Sequence, residues 1–401
     1  TSLEKKAGRL SEFKGTLKQS AKDLLGCLKF DEEIGIVLDK LHLYSMLSKD
    51  IDLGNEKYQG MYDRLVTLAS KISAFSAFVK PEILQIEQDT IDKFIANEEE
   101  LKIYKHLLAD LFRTKKHTLS EEQEIIIANV SPALQTASNT FGLLTNADLN
   151  FPTIKDEDGN DIVITHGRYT AAMYSLDREY RKRFYKNYYK PFIEHKNTLG
   201  ALFNGNLKSD FFISQTRKYS SSREAALDAN NIPILVYDNL VNSINQRLEP
   251  LQRWAELKRK LLALDEFHSY DAYVTLFPSV KRKYSYEKGK EIVLNSLTSL
   301  GDQYITDVKR AFDNRWIDVF ETKGKRSGAY SSGTTFGVHP YVLLNWGDEL
   351  NDVFTLTHEM GHNMHSYYTG MNQPYPYANY SIFIAEVAST LNEALLLDHL
   401  I

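Results

Sequence analysis

A single cysteine, Cys27, occurs in the 401 residues. No disulfide can close within the chain, so a fold built for an oxidising compartment is excluded and the expectation is a cytoplasmic protein. Apolar runs of the roughly eighteen residues that a membrane-spanning helix needs are missing as well. Basic charge is not in excess: 48 Lys and Arg against 53 Asp and Glu give a net charge of −5, which argues against nucleic acid or an anionic membrane surface as a partner. Internal repeats and low-complexity linkers are absent. The polar start TSLEKKAGRL is no secretory signal. It opens on Thr rather than Met, and the last residues, ALLLDHLI, stop in mid-helix without a terminating Gly or Pro, so both ends read as cut.

What is present is an ordinary globular composition, 43% hydrophobic and 25% charged, with ample length for a buried core. Within it, Asp352 to His365 reads DVFTLTHEMGHNMH. His358 and His362 lie four residues apart, on one face of a helix and about one turn from each other, so both rings can reach one metal ion. Glu359 follows the first histidine and points beside the metal rather than at it. This is the HExxH arrangement of zinc metallopeptidases, in which the metal lowers the pKa of bound water and the glutamate takes its proton. A solvated helix can carry the same residues by accident. Val353, Phe354, Leu356, Met360 and Met364 weigh against that, because they give the helix an apolar side to bury.

A zinc site needs a third protein ligand. Downstream, SIFIAEVASTLNEALLLDHLI carries Glu386 and Glu393 seven residues apart on one helix face, among Ile382, Phe383, Val387 and Leu391. A carboxylate on a mostly apolar helix is expensive to bury unless it is paired or ligates a metal. Glu386 is the candidate third ligand. Glu393 is a candidate for orienting a ligand histidine through its other ring nitrogen, with an exposed helix glutamate as the competing reading. His365 is either a similar supporting or substrate-contacting group or a satisfied helix histidine.

The rest of the chain reads as mainly helical. Leu3, Leu10, Leu17 and Leu24 repeat every seventh residue and predict one amphipathic helix. Asn55 predicts the N-cap of a second, running until Pro81 stops it. A third is expected over residues 90–113, and Ser120 with Gln123 forms a capping box for the next. The stretch NFPTIKDEDGNDIVIT reads as two short strands turning at Asp158-Gly159. A helix rich in Tyr, Arg and Lys follows between Arg168 and Tyr189. Its Arg181, Lys182 and Arg183 fit a solvated helix face better than a nucleic-acid surface. Residues 323–340 are dense in Gly and Ser, and short strands are expected around Ala329–Ser331 and Val342–Asn345. Glycines 328, 333 and 337 would let backbone approach a ligand closely. Lys325 and Arg326 fit solvated loop charges. Tyr375, Tyr377 and Tyr380 fit channel lining and ordinary packing equally well.

HEMGHNMHS, IFIAEVASTLNEA and GAYSSG together resemble the oligoendopeptidase F and thimet oligopeptidase group of zinc peptidases, and oligoendopeptidase F in particular. The spacing of 24 residues from His362 to Glu386 fits that group; metzincins are excluded because their pattern needs Gly where this chain has His365. The resemblance covers about residue 60 to the end. It implies a nearly all-helical, deep-channelled fold with a small β element beside the HExxH helix. Residues 1–190 would form a lid-like helical region, and residues 191–401 the first part of the catalytic domain.

The resemblance further implies one zinc ion held by His358, His362 and Glu386, Glu359 as general base, and an edge strand at Gly328, Ala329, Tyr330 and Ser331 that holds an extended peptide by strand addition. Short peptides would be the substrates. Family members continue past the second zinc motif with a helical stretch whose Tyr- and His-containing segment stabilises the oxyanion. That stretch is absent from this sequence, so a separate C-terminal segment completing the site is a further expected partner. A dipeptidase or carboxypeptidase of the same group, and a non-catalytic helical fragment with a structural zinc site, are the rival readings.

Overall fold

Hydroxyl and amide side chains set where many of the helices begin. In the computed structural model, which describes residues 1–276 and 282–401, Thr1 and Glu4 form a capping box for α1 (Ser2–Gly8). Ser20 accepts from the Asp23 amide to start α2 (Ala21–Ile51). The leucine heptad is therefore not one helix. A 3-10 turn at Arg9–Phe13 and Gly15, at φ +80°, divide it. Leu3, Leu10, Leu17 and Leu24 are nonetheless all buried in the same core: the spacing foretold burial, while the helix starts were decided by capping.

Asn55 caps α3 (Glu56–Ser76) as expected, its Oδ1 accepting from the Lys57 and Tyr58 amides. Pro81 does not end that helix. α3 stops five residues earlier at Ser76, and Pro81 lies in the first turn of the short α4 (Val79–Ile83), where a missing N–H costs nothing. The single helix expected over residues 90–113 is broken into α5 (Gln88–Asn97), a 3-10 turn (Glu99–Tyr104) and α6 (Lys105–Arg113). Glu98 is extended there, which puts Glu99 and Glu100 in the first turn of the new segment, where carboxylates are favoured. α7 (Glu121–Leu134) carries the expected Ser120–Gln123 box. It is followed by α8 (Thr136–Leu143) and a π-helical turn at Leu144–Asp148.

The predicted hairpin is present as β1 (Thr153–Lys155) and β2 (Asp161–Val163), antiparallel, with Gly159 at φ +82° in the turn. Two helices then stand where one was expected, α9 (His166–Tyr174) and α10 (Arg178–Glu194), because Asp177 caps a fresh start at Glu179 and Tyr180. Arg181 corrects the reading of a solvated basic face. It is 3% exposed, donates to the Tyr270 carbonyl at 2.8 Å, and pairs with the fully buried Asp271 at 2.8 Å. Tyr188 and Tyr189 pack on one another and on Phe192.

α11 (Lys196–Thr216), α12 (Ser222–Asp228), α13 (Ile234–Asn245) and α14 (Glu249–Leu261) follow. They expose many apolar side chains, among them Phe203, Phe211, Leu235, Leu240, Leu251 and Leu261.

A second core gathers around α15 (Tyr286–Ser296), α16 (Asp302–Asp313), a three-stranded sheet, α17 (Leu350–Asn372) and α18 (Ile382–Leu400). The strands are β3 (Ile317–Phe320), β4 (Tyr330–Ser332) and β5 (Tyr341–Trp346), in the order β3-β5-β4. β3 runs parallel to β5, and β4 runs antiparallel to it. β4 and β5 match the two predicted strands; β3 had no clear signal. Val353, Leu356, Met360 and Met364 are wholly buried, so α17 faces this core with the side the sequence proposed. The mainly helical fold with a small β element beside the HExxH helix is thus present. Among the described residues no helix is long and apolar enough to cross a membrane.

Candidate active site

His358 and His362 project from the same side of α17, their Nε2 atoms 3.1 Å apart. Glu386 on α18 brings Oε2 to 3.4 Å from both of these nitrogens. The three donor atoms all lie within 4.8 Å of one another, a span one ion can bridge. Two imidazoles and one carboxylate form a donor set suited to a catalytic zinc with a position left for water.

The close crossing of α17 and α18 depends on Gly361, between the two histidines. A Cβ there would lie 2.6 Å from Ser389 Cα and 2.7 Å from the Ala388 carbonyl oxygen. Only a residue without a side chain lets the two backbones approach this far. Ser389, fully buried at the contact, donates to Glu386 Oε2 at 2.8 Å and so fixes the carboxylate. Glu393 lies 2.7 Å from Nδ1 of His358, behind the face that meets Glu386. Burial holds the His362 imidazole below its ordinary pKa, with Glu386 and the Ala385 backbone acting in the opposite direction.

Glu359 is 6% exposed, and its Oε2 has no hydrogen-bond partner among the described residues. Burial pushes its carboxyl up to about 7, partly countered by His358, reinforced by Glu386, and countered again by the Ser331 backbone amide. That amide belongs to β4, so the strand runs beside the glutamate. Among the described residues β4 pairs with β5 alone and is an edge strand. Gly328, at φ +80°, leads into it, followed by Ala329, Tyr330 and Ser331.

His365 lies apart from the cluster of donors. It stacks on Tyr380 with centroids 3.9 Å apart, and burial lowers its pKa. Tyr380 in turn shares a hydrogen bond with Ser366 at 2.7 Å. Tyr375 donates to Asp39 on α2 at 2.9 Å, and Tyr377 donates to the Ile103 carbonyl at 2.6 Å while accepting from the Leu107 amide. These tyrosines therefore tie the loop between α17 and α18 to the N-terminal helices.

Lys325 is not a solvated loop charge. It is buried, bonded to Asp318 and to the Phe320 carbonyl at 2.7 Å. Arg326 is about half exposed and faces Asp50. The sequence reading missed Gly361 as the crossing point, Ser389, Asp50, and Asn392, which is buried and bonds Tyr304 and the Thr357 carbonyl. The signals were faint: a glycine inside a helix, and small polar residues on the side of α18 that carries Glu386.

Residues 171–401 match the family described as Peptidase family M3, and residues 82–151 match Oligopeptidase F. The chain is 46% identical over 392 residues to the oligopeptidase PepF of Bacillus subtilis, covering 98% of this chain and 58% of that protein. It is 39% identical over 406 residues to the chromosomal oligoendopeptidase F of Lactococcus lactis subsp. cremoris, covering 100% of this chain and 67% of that one. The crystal structure of oligoendopeptidase F from Enterococcus faecium superimposes with a TM-score of 0.74 at 32% identity, over 100% of this chain and 66% of that chain.

Proposed function

Since the chain belongs to peptidase family M3 and carries the oligopeptidase F region, we propose that it is the greater part of a zinc-dependent endopeptidase that hydrolyses short oligopeptides. The observation that carries the reading is the convergence of His358, His362 and Glu386 with the buried Glu359 beside them. Zinc bound there would supply Lewis acidity to the scissile carbonyl and to the attacking water.

The chain's own residues do the rest. Edge strand β4, from Gly328 through Ser331, holds an extended peptide backbone by strand addition. Glu359, kept from bulk water and with one oxygen free, takes a proton from the attacking water and returns it to the leaving amine. Glu393 holds the His358 imidazole in the tautomer that turns Nε2 inward.

The helices up to about residue 190 act as the lid-like region, and the remainder as the first part of the catalytic domain. The proposed source of oxyanion donors is a C-terminal segment outside this chain, which spans 58% of the length of the Bacillus subtilis relative. Buried Cys27, with no second cysteine to pair with, supports a reducing, cytoplasmic setting.

Elemental analysis and peptide hydrolysis test the proposal together. Near one equivalent of zinc per chain is expected, retained in Glu359→Gln with turnover abolished and lost in Glu386→Ala. Turnover surviving Glu359→Gln removes it as the base, and unchanged zinc in Glu386→Ala removes it as a ligand.

A further inference from the structure

We propose that Asp50 is a positioning residue for peptide binding: from the last turn of α2 it holds Tyr330, and with it edge strand β4, where an extended substrate pairs. The inference rests on the reading of β4 as the substrate strand.

β4 has three residues and, among the described residues, one neighbour, β5. So short a strand has few ladder bonds of its own, and its place is set by what anchors the segment leading into it. Asp50 is completely buried, and its Oδ2 accepts from the Tyr330 hydroxyl at 3.0 Å and lies 3.4 Å from Arg326 Nη1. Its carbonyl accepts from the Arg326 amide at 2.8 Å. Just beyond α2, the Leu53 amide donates to the Gly324 carbonyl at 2.7 Å.

Two further side chains grip the same segment. Asn146, in the π-helical turn, accepts from the Ser327 amide at 3.0 Å and hydroxyl at 2.9 Å. Asn345 donates to the carbonyls of Arg326 at 3.0 Å and Gly328 at 2.7 Å.

Burying a carboxylate costs free energy unless its oxygens are satisfied. Among the described residues Asp50 Oδ1 has no partner, so the side chain is held through Oδ2. Both side-chain contacts it does make end on residues 326–330. A strand fixed beforehand spares the substrate the entropy of ordering it.

The test uses the full native protein with its metal, carrying Glu359→Gln so that peptide is bound without turnover. A labelled extended oligopeptide is titrated by fluorescence anisotropy. Asp50→Asn and Tyr330→Phe should each weaken binding about fivefold to twentyfold, with zinc content unchanged. The double variant should lose less than the sum of the two single losses, since both changes act on the one Asp50–Tyr330 contact. Tyr330→Phe keeps the ring and loses only the hydroxyl, so it decides the matter if Asp50→Asn folds poorly.

Unchanged affinity in Tyr330→Phe, with or without a lowered Tm, overturns the proposal and leaves the pair a structural one. If Glu359→Gln stops hydrolysis while the clamp variants bind normally, the peptidase reading stands and this one falls. If the parent binds no peptide, both fall.

Discussion

Oε1 of Glu393 lies 2.7 Å from Nδ1 of His358, so the imidazole proposed to offer Nε2 to the metal is held from behind by a carboxylate one helix away. An outer partner of this kind fixes the tautomer and raises the basicity of the ligand. Glu393→Gln removes the charge while keeping the shape. Metal affinity should drop about tenfold to a hundredfold, read by competition with a chelator of known affinity. An unchanged constant would reduce Glu393 to a packing residue.

Gly361→Ala tests the helix crossing. The added Cβ would meet backbone on α18 at 2.6–2.8 Å, and backbone cannot swing aside as a long side chain does. The variant should lose about 1–3 kcal/mol of stability and bind zinc more weakly, because Glu386 moves away from the histidines. Alanine at the neighbouring Met360 would leave a cavity instead, and would serve as the contrast. Wild-type zinc affinity in Gly361→Ala would show that the helices need not touch there.

Ser389→Ala probes the same contact more gently. It leaves Glu386 in place but removes the hydroxyl donor at 2.8 Å, so the carboxylate gains freedom. Zinc affinity should weaken by about tenfold with little change in Tm. Equal zinc retention by wild type and variant during dialysis would count against the assignment.

Asp271 predicts an acid limb to the stability curve. Burial alone would raise its carboxyl, but hydrogen bonds from Arg178 and Arg181 outweigh this and hold it below the usual carboxylate range. A depressed folded pKa contributes stability that is fully present above the unfolded value, about 3.9, and is lost as pH falls through the folded value. Asp271→Asn should therefore cost about 3–5 kcal/mol at neutral pH, because it strands the buried Arg181. The gap between variant and wild type should narrow in denaturant titrations below about pH 4. A gap independent of pH would mean that the pair acts through shape rather than charge.

The site was more legible than the scaffold because its chemistry is written in spacing. Two histidines one turn apart, and two glutamates two turns apart on the next helix, specify faces whatever the surroundings. Glu393 was foreseen only as one of two readings, and its contact with His358 depends on the crossing that Gly361 allows. Helix boundaries were less legible. The leucine period runs on through Gly15 and Ser20, where backbone conformation and capping override it. Arg181 and Lys325 were misread because their partners, Asp271 and Asp318, are distant or unremarkable in sequence, and a buried cation shows itself only once its counter-ion is in place.

The tyrosines of the loop between α17 and α18 have a mechanical consequence. Tyr375 is fastened to α2 through Asp39, and Tyr377 to the turn before α6 through Ile103. A load placed on α2 is thus delivered to the hinge end of α17 and α18. Swinging α2 away would require the Tyr375 phenol to release Asp39. These bonds join the N-terminal bundle to the loop between the helix that carries the histidines and the helix that carries Glu386. The run from α11 to α14, whose side chains lean largely on solvent, makes none of these tyrosine contacts.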